Sequence, residues 1–167
     1  MEVLNIKTGQ YEDARISLLQ KNELTKSEKK RFDFEWEQEL IHNVYKQTLF
    51  NDDSILGLMS VLIYEAERRV EIKLLELARE NRGKTKLYDR VAGNLITFAC
   101  QLSFKSGFDG FVSLIPKTEL ISHYIEKYHF RPVGKHLVLE GSSSDALITE
   151  YIKINLNESK EEKKGTT

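Results

Sequence analysis

The feature that most constrains this chain is a pair of strand-like segments that runs straight into a helix. Ile55 to Tyr64 is an apolar stretch of strand length, Glu65 to Arg69 is a charged turn, and Val70 to Ala78 alternates in polarity. Two antiparallel strands joined by a polar turn is the simplest reading. Within the second strand, strict alternation puts Val70, Ile72, Leu74 and Glu76 on one face and Glu71, Lys73, Leu75 and Leu77 on the other. Arg79 to Asp89 has no apolar periodicity and reads as a loop. Val91, Ala92, Leu95, Ile96, Phe98, Ala99 and Leu102 then recur at helical spacing as far as Gly107. A helix start offers backbone N–H groups without internal partners and the positive end of a dipole, so a polyphosphate can bind there. Arg82, Lys84, Lys86 and Arg90 surround that start. On charge alone, a solvated basic loop fits equally well.

The remaining segments set the fold class. Gly110 to Ile115 predicts a short buried strand, and Thr118 is a candidate N-cap for a helix through Leu120, Ile121, Tyr124, Ile125 and Tyr128. His136 to Glu140 and Ala146 to Ile154 read as late strands around a Gly-Ser turn at 141–144. Tyr11 to Leu24 has a loose helical pattern. Phe32, Phe34 and Trp36 alternate with acidic residues and favour a strand, although the following Glu37 to Leu40 suits a helix equally well. The order strand, loop, helix, strand, helix, strand is an α+β or α/β arrangement.

Composition narrows the class of function. A chain of 167 residues with 40% apolar and 31% charged residues suits one globular domain, here 1–156, followed by a charged, frayed end at 157–167. Twenty-five Lys and Arg balance twenty-six Asp and Glu, leaving a net charge of -1. No overall positive field exists to hold a polyanion, so nucleic acid is not indicated as an obligate ligand. The N-terminus lacks a basic stretch followed by an apolar one, and no run reaches the length of a membrane span, so a soluble, cytoplasmic protein without membrane contact is expected. The lone Cys100 lies in an apolar run and reads as a core residue. His42, His123, His129 and His136 are scattered without metal-ligand spacing, and no metal is expected.

The segment Leu74-Leu75-Glu76-Leu77-Ala78, continuing through Arg82-Gly83-Lys84 and Tyr88-Asp89-Arg90-Val91-Ala92-Gly93-Asn94-Leu95, resembles the acetyl-CoA-binding strand, loop and helix of the GNAT N-acetyltransferase superfamily. Arg90-Val91-Ala92-Gly93 gives the first half of the family's pyrophosphate motif, with Leu95 where a small residue is usual. Downstream, Glu119 to Phe130 is similar to the family's helix carrying Tyr-Glu-Lys and ending in Gly-Phe. Here His129 replaces the glycine and Ile125 separates Tyr124 from Glu126.

The resemblance implies the acyl-CoA N-acyltransferase fold, an α+β, sandwich-like arrangement in which helices flank a mixed, mostly antiparallel sheet whose central strands splay apart. It implies direct transfer of an acetyl group from acetyl-CoA, the co-substrate, to an amine. Arg82, Lys84, Arg90, Val91, Ala92, Gly93 and Asn94 would hold the pyrophosphate, and the strand edge at Leu75 and Leu77 the pantetheine arm. Glu76 would be the general base and Tyr124 the acid for the departing thiolate, with Tyr128 competing for that role. The acceptor is left open among a small amine, a protein lysine or N-terminus, and an aminoacyl-tRNA, and dimerisation is common in such folds. A non-catalytic acyl-CoA-binding or protein-interaction module with the same fold is the alternative, separated from the enzyme by whether CoA thiol is released.

Overall fold

The structure, a computed structural model, describes residues 1–153. Among the described residues nine strands form one sheet: β1 (Glu2–Asn5), β2 (Tyr11–Leu18), β3 (Asn43–Leu49), β4 (Asp52–Tyr64), β5 (Arg69–Leu77), β6 (Tyr88–Asp89), β7 (Val112–Leu114), β8 (Arg131–Val133) and β9 (His136–Leu139). Their order is β6-β1-β2-β3-β4-β5-β7-β9-β8. All neighbours are antiparallel except β5 and β7. The helices are the single turns α1 (Lys26–Lys29) and α2 (Trp36–Glu39), then α3 (Val91–Lys105), α4 (Ile121–Tyr128) and α5 (Ser142–Ile148). No described helix is long and apolar enough to cross a membrane. The expected frayed end at 157–167 lies outside the described residues.

The sheet is covered on both sides. On β4, Leu56, Met59 and Val61 join the larger core with Val91, Leu95, Ala99 and Leu147, while Ile55 and Leu58 join a smaller one with Leu19, Phe32 and Trp36. Strict alternation fails in β5. Ser60 pairs with Leu74 but Val61 pairs with Ile72, so Lys73 is an extra, unpaired residue, a β-bulge. Val70 and Ile72 therefore face the α3 core, whereas Leu74 packs with the smaller core and Leu75 and Leu77 take over the α3 side. Glu76 thus shares a face with Leu74 but not with Val70 and Ile72, which corrects the row read from the sequence.

Three further segments differ from expectation. Tyr11–Leu18 is a strand, because both its edges are taken by β1 and β3 and Ala14 and Ile16 turn into the core. Residues 32–36 are not a strand: Phe32 and Trp36, four apart, both enter the smaller core while Phe34 is exposed, and Trp36 begins α2. Residues 146–153 are helical, the end of α5 followed by a π-turn over Thr149–Lys153. Their buried positions Ser144, Leu147 and Tyr151 follow a helical period, and the Ser143 hydroxyl ties back to the Glu140 carbonyl at 2.9 Å. Thr118 opens a 3₁₀ turn without a side-chain cap, and α4 starts at Ile121.

Close approach of backbone fixes the position of α3. A Cβ on Gly57 would lie 2.9 Å from Val91 Cγ1, so only glycine lets the helix start sit this near β4. On the other side, a Cβ on Gly93 would lie 2.0 Å from the Tyr151 ring. Gly93→Ala is therefore expected to lower stability by about 1–3 kcal/mol through overpacking. Urea unfolding checks this: the cost should shrink in a Tyr151→Ala background, and equal costs in both backgrounds would mean that the contact does not restrain α3.

Candidate functional site

β5 and β7 pair over only three residues, Val70–Ile72 against Val112–Leu114. Beyond the Lys73 bulge, β5 continues to Leu77 without a neighbour on that side, and a cleft of about 580 Å³ opens. The edge of β5, the 79–92 loop and the start of α3 form one wall, and α4 forms the other. The Ala78 N–H donates to the Leu56 carbonyl on the β4 side at 3.0 Å. By the alternation of an antiparallel ladder, the backbone groups of Leu75 and Leu77 then point into the cleft.

One end of the cleft is the α3 N-terminus, where Val91 and Ala92 line it and the first helical N–H groups lack intrahelical acceptors. Arg90 precedes the helix in the left-handed conformation, φ 76°. Its guanidinium lies 4.6 Å from the Tyr151 ring centre and 5.9 Å from that of Tyr11, and its Nη2 donates to the Tyr151 carbonyl at 3.4 Å. Its Nε is buried with no hydrogen-bond partner among the described residues. An unmatched cationic donor beside a helix start fits an anion of the phosphate kind. Asp89 opposes this but is neutralised: burial alone would raise its carboxyl, yet Lys86 at 2.9 Å and the Arg90 N–H outweigh burial and hold it below the ordinary range. Lys127 completes this end.

The middle of the cleft belongs to Glu76, Tyr124 and His123. Glu76 is 6% exposed. Its Oε1 accepts from Trp36 Nε1 at 2.8 Å and Phe34 N at 3.2 Å, and its Oε2 from Asp33 N at 2.7 Å and Arg82 Nη2 at 2.8 Å. Four donors fill all four in-plane lone-pair sites of the carboxylate. Arg82 is equally committed: Nη1 binds Asp33 at 2.7 Å and Nε binds the Leu77 carbonyl at 2.7 Å. These bonds clamp residues 31–36 onto the end of β5, helped by an Arg79–Asp33 pair at 2.8 Å. Tyr124 is partly buried, and burial pushes its phenol above its ordinary 10.0. Tyr128, 3% exposed, is pushed up further still.

Of the residues predicted from sequence, Glu76, Tyr124, Leu75, Leu77, Arg82, Arg90, Val91 and Ala92 come together around this cleft. Lys84 is exposed on the outer side of the loop and does not line it. Gly93 packs beneath Tyr151, and Asn94 is buried, its Nδ2 reaching the Glu2 carbonyl at 2.8 Å and Gln47 Oε1 at 2.9 Å. Lys86, Lys117, His123 and Lys127 line the cleft as well. Lys117 is not singled out by the sequence, His123 reads there only as a scattered histidine and Lys127 only as part of the Tyr-Glu-Lys helix, since their convergence depends on how α4 leans over β5.

A sheet split at its single parallel pair, with a helix start and basic groups at the mouth of the split, defines a cleft for an extended ligand with an anionic end. This is the acyl-CoA N-acyltransferase fold. A mutant of the AtaT toxin, solved with the C-terminus of the antitoxin AtaR and acetyl-CoA, aligns with a TM-score of 0.55 at 15% identity, over 82% of this chain and 99% of that one. A chimera of spermidine N-acetyltransferase SpeG from Vibrio cholerae and hSSAT aligns with a TM-score of 0.56 at 14% identity, over 79% and 98%. AtaT complexed with acetyl-methionyl-tRNAfMet aligns with a TM-score of 0.50 at 13% identity, over 86% and 99%. No protein-family model and no curated protein matches the sequence.

The clamp carries a prediction. In Glu76→Gln, the amide keeps two acceptor sites but turns two N–H groups toward other donors. Loss of about 3–5 kcal/mol is expected for breaking a buried charged pair. Emission from Trp36, the only tryptophan, should move to the red as the indole gains water. An unchanged urea midpoint and emission maximum would remove Glu76 from its anchoring place.

Proposed function

We propose that this chain is an N-acetyltransferase that moves an acetyl group from acetyl-CoA to an amine. The observation that carries this reading is the buried Arg90 Nε, without a hydrogen-bond partner among the described residues, beside the open start of α3 at the mouth of the β5/β7 split. Arg90, Lys86, Lys127 and the N–H groups of the first α3 turn would hold the pyrophosphate, and the outward backbone groups of Leu75 with the Leu77 N–H the pantetheine arm. Acetyl-CoA supplies an acyl group activated as a thioester. The Leu75 N–H, next to the bulge and facing the cleft, is the donor aimed at charge developing on the acyl oxygen.

Tyr124 keeps its proton at neutral pH and is the acid that gives it to the departing CoA thiolate as the carbon–sulfur bond breaks. Glu76 is a positioning residue in this proposal rather than the base, because its four acceptor sites are occupied. Proton removal from the amine then goes to a cleft group with a free lone pair, and His123, beside Tyr124 at 6.2 Å between ring centres, is that group. The neighbours described above include proteins solved with acetyl-CoA or named as acetyltransferases, which supports the class of reaction and leaves the acceptor to this chain's own residues.

Calorimetric titration with acetyl-CoA tests the reading. Binding that weakens about tenfold or more in Arg90→Ala is expected from the loss of a charge-assisted contact to phosphate. No binding by the wild-type protein would sink the proposal. Where turnover is measured, Tyr124→Phe should lower kcat by about a hundredfold, as lost acid help does, and leave acetyl-CoA binding unchanged. Because burial raises the phenol, the loss of activity due to its ionisation should lie above pH 10.0.

A further inference from the structure

The end of the cleft away from the α3 start is lined by Asp33, Phe34, Lys117 and Leu120. Under the acetyltransferase reading, on which this inference rests, it is where the acceptor enters. Its charges are unevenly spent. Asp33 accepts from Arg79 and Arg82, and these guanidinium groups hold its carboxyl below the ordinary range. Deeper in, Glu76 is saturated by four donors and Asp89 is paired with Lys86. No carboxylate lining the described cleft is left to bind a cation.

Lys117 is the reverse case. It makes no ion pair among the described residues, and its ammonium rests 5.4 Å from the centre of the Phe34 ring. That contact holds the positive charge at this end of the cleft without neutralising it. Phe34 and Leu120, each 39% exposed, present apolar surface beside it. A polyamine would meet a cation and no free carboxylate here, so it is disfavoured by charge, although one neighbour in fold is named for spermidine.

We infer that the acceptor is an amine carrying an anionic group and an apolar group, the anion met by Lys117 and the apolar part by Phe34 and Leu120. A carboxylate and a phosphate share this chemistry.

The test measures thiol release from acetyl-CoA at low salt with four amines: phenylalanine, its neutral amide, the aminophosphonate with the same side chain, and spermidine. Wild-type protein should use the anionic amines about fivefold better than the amide, the scale of one exposed ion pair, and spermidine least. Lys117→Glu should reverse the order while leaving calorimetric acetyl-CoA binding intact. The ratio of carboxylate to phosphonate turnover separates the two sources of the anion. Equal use of the amide or of spermidine, or a Lys117→Glu loss common to all four, overturns the inference and leaves the enzyme standing. Acetyl-CoA binding without turnover of any of the four overturns it too and leaves the cofactor site. Absence of acetyl-CoA binding removes the acetyltransferase reading and this inference with it.

Discussion

Opposite the Ser60–Val61 step of β4, strand β5 holds one residue too many, Lys73, and the backbone must absorb it. A bulge adds local twist and swaps the faces that follow. Before it, β5 turns Val70 and Ile72 to the α3 core and pairs with β7; after it, Leu75 and Leu77 face that core and the outer edge is bare. The cleft, the exposed strand edge and the placement of Glu76 on the far side from α3 all descend from this single insertion. A strictly alternating β5 would send the Glu76 side chain toward the α3 core, where nothing compensates a carboxylate.

Glu76 and Arg82 then convert that geometry into a rigid wall. The carboxylate gathers two backbone amides and an indole from residues 33–36, and the guanidinium ties Glu76, Asp33 and the Leu77 carbonyl together. Such a network is stable only when complete, since each orphaned buried charge costs several kcal/mol, of the order of 3–5. Both residues are conspicuous in the sequence as charges near a basic loop, yet their polar atoms are engaged in holding residues 33–36 against the end of β5. Under the proposed function, binding falls instead to less conspicuous groups, Arg90, Lys86 and Lys127.

Legibility followed locality. The hairpin of β4 and β5 and the start of α3 could be read because each announces itself by a period within one window. The bulge could not, because one inserted residue leaves the run apolar and changes only who faces whom. Glu76 looked like a base for the same reason: its partners lie some forty residues earlier in the chain, in a segment whose Phe32, Phe34 and Trp36 mimic a strand. Tyr11–Leu18 had apolar positions compatible with either period, and pairing with β1 and β3 decided between them. Residues 142–153 were misread because the Gly-Ser run looked like a hairpin turn, while Leu147 and Tyr151 were marking a helical face for α3.

The Gly93–Tyr151 contact bears on when the protein becomes competent. Synthesis delivers α3 well before Tyr151, and domains assemble as the chain emerges. Until the π-turn docks, the notch at Gly93 is uncovered and the Arg90 guanidinium lacks the ring on which it rests and the carbonyl that orients it. The anion end of the cleft is therefore finished by one of the last pieces of the described chain to leave the ribosome. A nascent chain would carry the strand, the loop and the helix of the cleft before the Arg90 side chain has the ring and carbonyl that fix it.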